Sequence, residues 1–336
     1  VRWLLPEPLR PARRLGSRSM SSRVGLVLLV AVLAASVSDM SGLASTQATF
    51  TASGASDASF STRAACSSPS AFPAAVVALG PTFYYRFAEA AGAVTVADAS
   101  GNGNTGLVRN SSPTAGVAPP LVLGAVGAGL IWCDTTSGLT SSATSGALSS
   151  GSFVVWSTAR PNPTTFTVMA FVRTVGTLGG RLIGMGSSTW AKDVHYERQL
   201  VVDDTGHIRF ELYPGFRFQL TSPGTVNDGK PHFVVGTLGP AGACLYVDGQ
   251  LAAADPAQTT AETYTANEQR NPPPPAGGSG GATPNGFGYW RVGWDNINGW
   301  GATDYAIAGV IDEAALFEGK QLSAAQVGAL WRANHW

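Results

Sequence analysis

Tyr196-Glu197-Arg198-Gln199-Leu200-Val201-Val202, Asp203-Asp204-Thr205-Gly206 and His207-Ile208-Arg209-Phe210-Glu211-Leu212-Tyr213 read as two strands and the turn between them. Ile208, Phe210 and Leu212 fall on one face and Arg209, Glu211 and Tyr213 on the other, the period-two pattern of a half-solvated antiparallel strand. Gly206 supplies the positive φ that a tight connection demands. Working outward, Phe166, Val168, Ala170 and Val172 alternate with Thr167, Met169, Phe171 and Arg173, which suits a sheet covered on both sides at least in part. Phe216, Phe218 and Leu220 repeat the alternation, and Asp248-Gly249 turns Cys244–Val247 back into Gln250-Leu251. Short strands at this spacing predict an all-β fold, a two-sheet antiparallel jelly-roll sandwich. A short C-terminal helix is the exception. Ser323 caps it with Gln326 as box partner, and Val327, Leu330 and Trp331 share a face expected to cover a sheet edge or open end.

Composition narrows the function. Of 336 residues, 12% are charged and 44% apolar, and 21 Lys plus Arg balance 21 Asp plus Glu. That excludes a wholly disordered chain and argues against a nucleic-acid partner, which would need an excess of cations for phosphate contacts. Six Arg, from Arg2 to Arg23, precede the charge-free run Val24–Ala35. At 12 residues the run is short of a membrane span, so residues 1–44 read as a signal peptide, with a retained signal anchor as the alternative. The expected location is extracellular or cell-surface, with no membrane contact beyond the export signal. Cys66, Cys133 and Cys244 lack CxxC or CxxH spacing. In an oxidising compartment one disulfide can persist, Cys66 with Cys244 being the preferred pair and unpaired cysteines the alternative.

Residues 45–73 form a Ser/Ala/Thr-rich leader or linker, and 74–336 the folded domain. The domain carries a flexible insert at 266–286, where Asn271-Pro272-Pro273-Pro274-Pro275 and Gly277-Gly278-Ser279-Gly280-Gly281 cannot bury a core.

Four motifs in order carry a family resemblance. They are Phe83-Tyr84-Tyr85-Arg86-Phe87-Ala88-Glu89, Asp98-Ala99-Ser100-Gly101-Asn102-Gly103-Asn104-Thr105-Gly106, Leu245-Tyr246-Val247-Asp248-Gly249-Gln250-Leu251, and Gly309-Val310-Ile311-Asp312-Glu313 with Leu322-Ser323. Together they resemble a laminin-G-like jelly-roll domain of the concanavalin A-like lectin and glucanase group, over roughly 75 to 334. The leader segment Ala48–Ala52 is similar to those preceding such domains in exported bacterial surface proteins. The insert and Cys133 depart from the family pattern.

Asp98, Ser100, Asn102 and Asn104 place an oxygen at every second position around Gly103, as a calcium loop does, but an EF-hand would need Glu where Arg109 stands. The resemblance implies that Asp312 from the closing strand completes a structural calcium site. The alternative is an Asx-rich turn bonded to its own backbone.

Other patterns fail on context. Gly101–Gly106 fits GxGxxG but opens no helix, and Gly277–Gly281 fits GxSxG but lies in the insert. His195, His207 and His232 match no helical zinc spacing. A glycoside hydrolase or lyase on the same fold needs paired carboxylates; Asp312 and Glu313 alternate in face, which leaves Glu197 and Glu211 on the hairpin as a cross-strand pair. Binding has better material in Tyr289-Trp290-Arg291-Val292-Gly293-Trp294-Asp295-Asn296 and Trp300, where aromatic planes alternate with polar groups, and Trp190 near His195 and Arg198 is a second wall. The expectation is a secreted non-catalytic module that recognises an extracellular glycan or surface protein through Trp294, Asp295, Asn296 and Trp300. A structural cell-envelope component is the remaining alternative.

Overall fold

The computed structural model describes residues 70–90, 93–110, 138–141, 152–189, 196–214, 216–261, 286–295, 297, 302 and 306–334, all within a unit spanning Ala64–Trp336. The signal segment, Cys66, Cys133, Trp190, His195, Asn296, Trp300 and all of the insert but Gly286 lie outside the described residues.

In chain order the elements are α1 Phe72–Ala78, β1 Phe83–Tyr85, β2 Thr95–Val96, β3 Gly106–Asn110, β4 Leu139–Ser141, β5 Ser152–Trp156, β6 Arg160–Pro161, β7 Phe166–Thr174 and β8 Gly180–Gly186. They continue as β9 Tyr196–Val202, β10 His207–Leu212, β11 Phe218–Thr225, β12 His232–Gly239, β13 Gly242–Val247, β14 Gln250–Asp255, β15 Phe287–Gly293, β16 Gly309–Glu318 and α2 Ala324–Asn334. Two sheets result. One runs β1-β16-β7-β12-β13-β14 with β4 on β16; the other runs β11-β10-β9-β8-β15-β5-β3-β2 with β6 on β15. Every ladder between these strands is antiparallel, and the neighbours are mostly distant in sequence, as β16 with β7 and β15 with β5, which is jelly-roll connectivity.

The inner faces meet in one core. Phe166, Val168, Ala170 and Val172 of β7 pack with Val234 and Leu238 of β12 against Phe210 and Ile208 of β10, Leu200 of β9 and Trp290 of β15. The hairpin β9–β10 has the expected register, Phe210 opposite Leu200 and Glu211 opposite Gln199. Gly206 takes φ +89, and Asp248-Gly249 turns at φ +51 and +75, the paired positive values of a two-residue hairpin.

Several expectations are corrected. Strand β10 is not half-solvated, because Glu211 is fully buried. Phe216 is exposed and precedes β11 instead of joining it. The C-terminal helix covers a face, not an edge or an open end: Val327 and Leu330 lie with Met169, Phe171, Phe233, Val235 and Tyr246 on the outer side of the β7–β12–β13 sheet. Its capping box forms as read, Ser323 N donating to Gln326 Oε1 at 2.9 Å and Gln326 N to Ser323 Oγ at 3.3 Å. Helix α1, which the leader reading missed, shares that cover through Phe72 and Val76. Ser70 joins the two helices, its Oγ accepting from Phe72 N and donating to Ala333 O, so packed structure begins before Ala74. Cys244 is a half-buried free thiol beneath this layer, not one half of a bridge.

Candidate ligand site

Trp294 and Asp295 follow directly on β15, and both are buried. The Trp294 ring packs 5.6 Å from Phe153 in a third apolar cluster with Val155, Val201, Ile297, Ala302 and Ala306. Asp295 sits between two guanidiniums, accepting from Arg181 Nη1 and lying 3.1 Å from Arg291 Nη1. Arg291 in turn stacks 4.8 Å over Phe153 and donates through Nε to Ser188 O at 2.8 Å. Trp294, Ile297, Ala302 and Ala306 thus pack on the outer face of the larger sheet, pinned by a bridge between Arg181 and Ala306. As placed, Trp294 and Asp295 hold this layer down and offer no exposed plane or acceptor.

On the same face Gln199 Nε2 donates to Glu211 Oε2 at 2.7 Å. Burial pushes the Glu211 carboxyl up to about 8, against the lowering effect of the Gln199 bond and of Arg209 and Arg181 nearby. Glu197 is bound by Arg198, which itself sits at φ +51. The residue opposite Glu211 is Gln199, so the hairpin does not set Glu197 and Glu211 face to face. Asp312 borders a bulge in β16 that contains Glu313, and both are buried; Glu313 accepts from Tyr84 Oη and from Arg86 Nε, the latter at 3.3 Å.

The described histidines are structural. His207 Nδ1 lies 2.8 Å from Ser222 O, and His232 bridges Asp248 at 2.8 Å and Asp228 at 3.0 Å.

The Asp98 loop is a hydrogen-bonded hub. Oδ1 accepts from Tyr84 N and Ser100 N, both at 2.9 Å; Oδ2 accepts from Ser100 Oγ at 2.7 Å and Asn104 N at 2.8 Å. A carboxylate has about four lone-pair positions, and these four donors occupy them. Asn102 and Asn104 turn their Nδ2 groups to the Pro81 and Thr82 carbonyls. Asp312 Oδ1 accepts from Glu313 N at 2.9 Å. Among the described residues no three His, Cys, Asp or Glu side chains cluster as a metal would need. The five residues expected to hold calcium therefore do not fit a cation as arranged. Four of them build a turn, with Gly101 and Gly103 at positive φ.

That turn forms one wall of an open pocket of about 400 Å³. Gly80, Pro81 and Thr82 lie beside Asn102 and Asn104, Trp156 closes the end of β5, and Arg160 of β6 and Glu318 at the end of β16 complete the lining. Trp156 is almost wholly buried, with the Arg160 guanidinium 5.1 Å from its ring centre. Arg160 donates to Glu318 Oε2 through Nε at 2.9 Å and Nη2 at 2.6 Å. Glu318 Oε1 accepts from Trp290 Nε1 at 2.9 Å, and Glu318 N donates to Thr82 Oγ1 at 2.8 Å. Asn102 Oδ1, Asn104 Oδ1, Arg160 Nη1 and the Thr82 hydroxyl hydrogen are left without protein partners among the described residues. Sequence reading found Asn102 and Asn104 but missed Trp156, Arg160 and Glu318. These three meet only when β5, β6 and β16 assemble, and no local period announces them.

The fold and pocket define a class: a jelly-roll sandwich with a polar recess at its strand ends. Residues 145–271, which contain β5 to β14, match a laminin G-type family model of the Concanavalin A-like lectin/glucanases superfamily, bearing out the resemblance read from the sequence. No curated protein matches the chain. Among solved structures, Trypanosoma rangeli sialidase in complex with sialic acid is similar at 12% identity and TM-score 0.42, over 75% of this chain and 33% of that one. The chain thus spans a third of that sialidase's length. The native heptameric SAP-like pentraxin from Limulus polyphemus is similar at 13% identity and TM-score 0.36, over 53% of this chain and 75% of its own. Ruminococcus gnavus IT-sialidase CBM40, bound to alpha2,3 sialyllactose, is similar at 16% identity and TM-score 0.36, over 50% and 83%.

Proposed function

We propose that this protein is a secreted or surface-retained, non-catalytic module that binds an extracellular glycan in the pocket between the Asp98 turn and the ends of β5, β6 and β16. One observation carries the reading: a recess that sets hydrogen-bonding groups of both senses side by side, with the Arg160 guanidinium held over Trp156. A sugar hydroxyl both donates and accepts, so it matches Asn oxygens on one wall and guanidinium N–H groups on the other. The positions are held by strand ends and by the saturated Asp98 turn, so little ordering remains to be done on binding. Cleavage is not expected, because hydrolysis wants two opposed carboxyl groups. Among the described residues lining this pocket Glu318 is the only carboxylate, and it is tied to Arg160 and Trp290.

A glycan array on the exported chain tests this. At least one glycan class should bind, Arg160→Ala and Asn102→Ala should each weaken it about tenfold, the size of one good hydrogen bond, and no reducing sugar should be released. Binding that ignores both substitutions, or no binding on a broad array, would sink the proposal.

A further inference from the structure

We infer that this pocket selects uncharged sugars presenting neighbouring hydroxyls and rejects acidic ones, an inference that rests on the glycan reading above. An acidic sugar is normally gripped by the forked edge of an arginine, two parallel N–H groups on one carboxylate. Here that edge is taken. Arg160 commits both Nε and Nη2 to Glu318 Oε2, while Glu318 spends its other oxygen on Trp290 Nε1.

On the open Nη1–Nη2 edge a ligand carboxylate would meet a cation whose charge Glu318 already balances, and on the Nε edge it would have to expel Glu318 from the guanidinium. That would leave Glu318, only 13% exposed at its side chain, charged and short of its partner beside the buried Trp290. Stranding a largely buried charge is strongly unfavourable. The surroundings do not tip the balance. Lys320 Nζ is bonded to Leu79 O beside Gly80, and the Asp98 carboxylate stands behind the asparagine wall with its acceptors filled. The remaining groups are neutral or already balanced: two amide oxygens that accept, and Arg160 Nη1 and the Thr82 hydroxyl that donate. Adjacent hydroxyls can bridge these two senses at once, and a carboxylate, which only accepts, cannot.

The test measures affinities of the exported chain for matched neutral and uronic-acid glycans, at salt from roughly 50 to 500 mM. The wild type should prefer the neutral member about tenfold or more, with little change across the salt range. Glu318→Gln keeps an oxygen for Trp290 Nε1 but frees the guanidinium, and should raise the acidic-to-neutral affinity ratio about tenfold and make acidic binding salt-sensitive. Arg160→Gln should move the ratio the other way, since Glu318 is then an uncompensated anion, so the inference stays testable if one variant fails to fold. A wild type that prefers acidic glycans, or a ratio unmoved by both substitutions, would overturn the inference alone. Absence of glycan binding in the wild type would overturn the glycan reading and this inference with it.

Discussion

Asp98 shows how one side chain can be read two ways until its lone pairs are counted. Its carboxylate closes a turn by accepting from Tyr84 N, Ser100 N, Ser100 Oγ and Asn104 N, and in doing so ties the loop to β1. The sequence shows the oxygens but not which way the amides point, and the Nδ2 groups of Asn102 and Asn104 face chain carbonyls. Asp98→Asn turns one accepting oxygen into a donor that faces N–H groups, and should cost about 2 kcal/mol from hydrogen bonds to a charged acceptor. Chelator should leave the melting temperature of the wild type unchanged. A rise in melting temperature with added calcium, abolished by Asp98→Asn, would restore the cation site. The same limit applies at Trp294 and Asp295: an aromatic beside a carboxylate suits a sugar wall in sequence, but both are consumed by packing and by the Arg181 and Arg291 ion pairs.

At the scale of elements, alternation reports which residues share a face, not what lies over it. Phe171 and Met169 were visible as the second face of β7, yet only α1 and α2 make that face interior. The strand ends and both hairpin turns were legible because Asp-Gly and a glycine at positive φ are local requirements. Helix α1 was not, since its short run begins in a Ser/Ala-rich stretch and its apolar residues matter only against Phe171 and Phe233, 5.2 and 5.5 Å from the Phe72 ring. The cover is therefore a stabilising layer, not a surface trim. Leu330→Ala should cost about 2 to 5 kcal/mol in denaturant unfolding, the range for a buried large-to-small change. A loss near zero would mean that α2 is an accessory to an already complete sandwich.

For the molecule as a whole, buried ionisable groups set how stability depends on pH. Burial raises Glu211 from 4.5 to about 8 and holds Glu313 well above its ordinary range despite Arg86. His232 is raised from 6.5 by its bond to Asp248, opposed by burial and aided by Asp228. Each of the three binds its proton more tightly when folded, so its contribution is complete below the unfolded pKa and is lost as pH climbs through the folded one. Two groups act in the opposite sense. Asp203 is lowered, burial being outweighed by bonds from Thr205, His207 and Arg209, and Asp228 falls to about 2, chiefly through the Lys230 backbone; their contributions are lost on acidification below 3.8. The two limbs meet between the ordinary values of 3.8 and 4.5, so stability should peak at about pH 4 and decline toward about pH 8, at up to roughly 1.4 kcal/mol per pH unit for each proton released. Glu211→Gln keeps an oxygen for the Gln199 amide and removes one titration, so it should flatten the alkaline limb and raise the melting temperature at pH 8 relative to wild type. Melts in a constant-ionic-strength buffer series decide this: equal slopes for wild type and variant between about pH 5 and pH 8 would mean that Glu211 is already ionised in the folded chain, with the guanidiniums of Arg181 and Arg209 outweighing its burial.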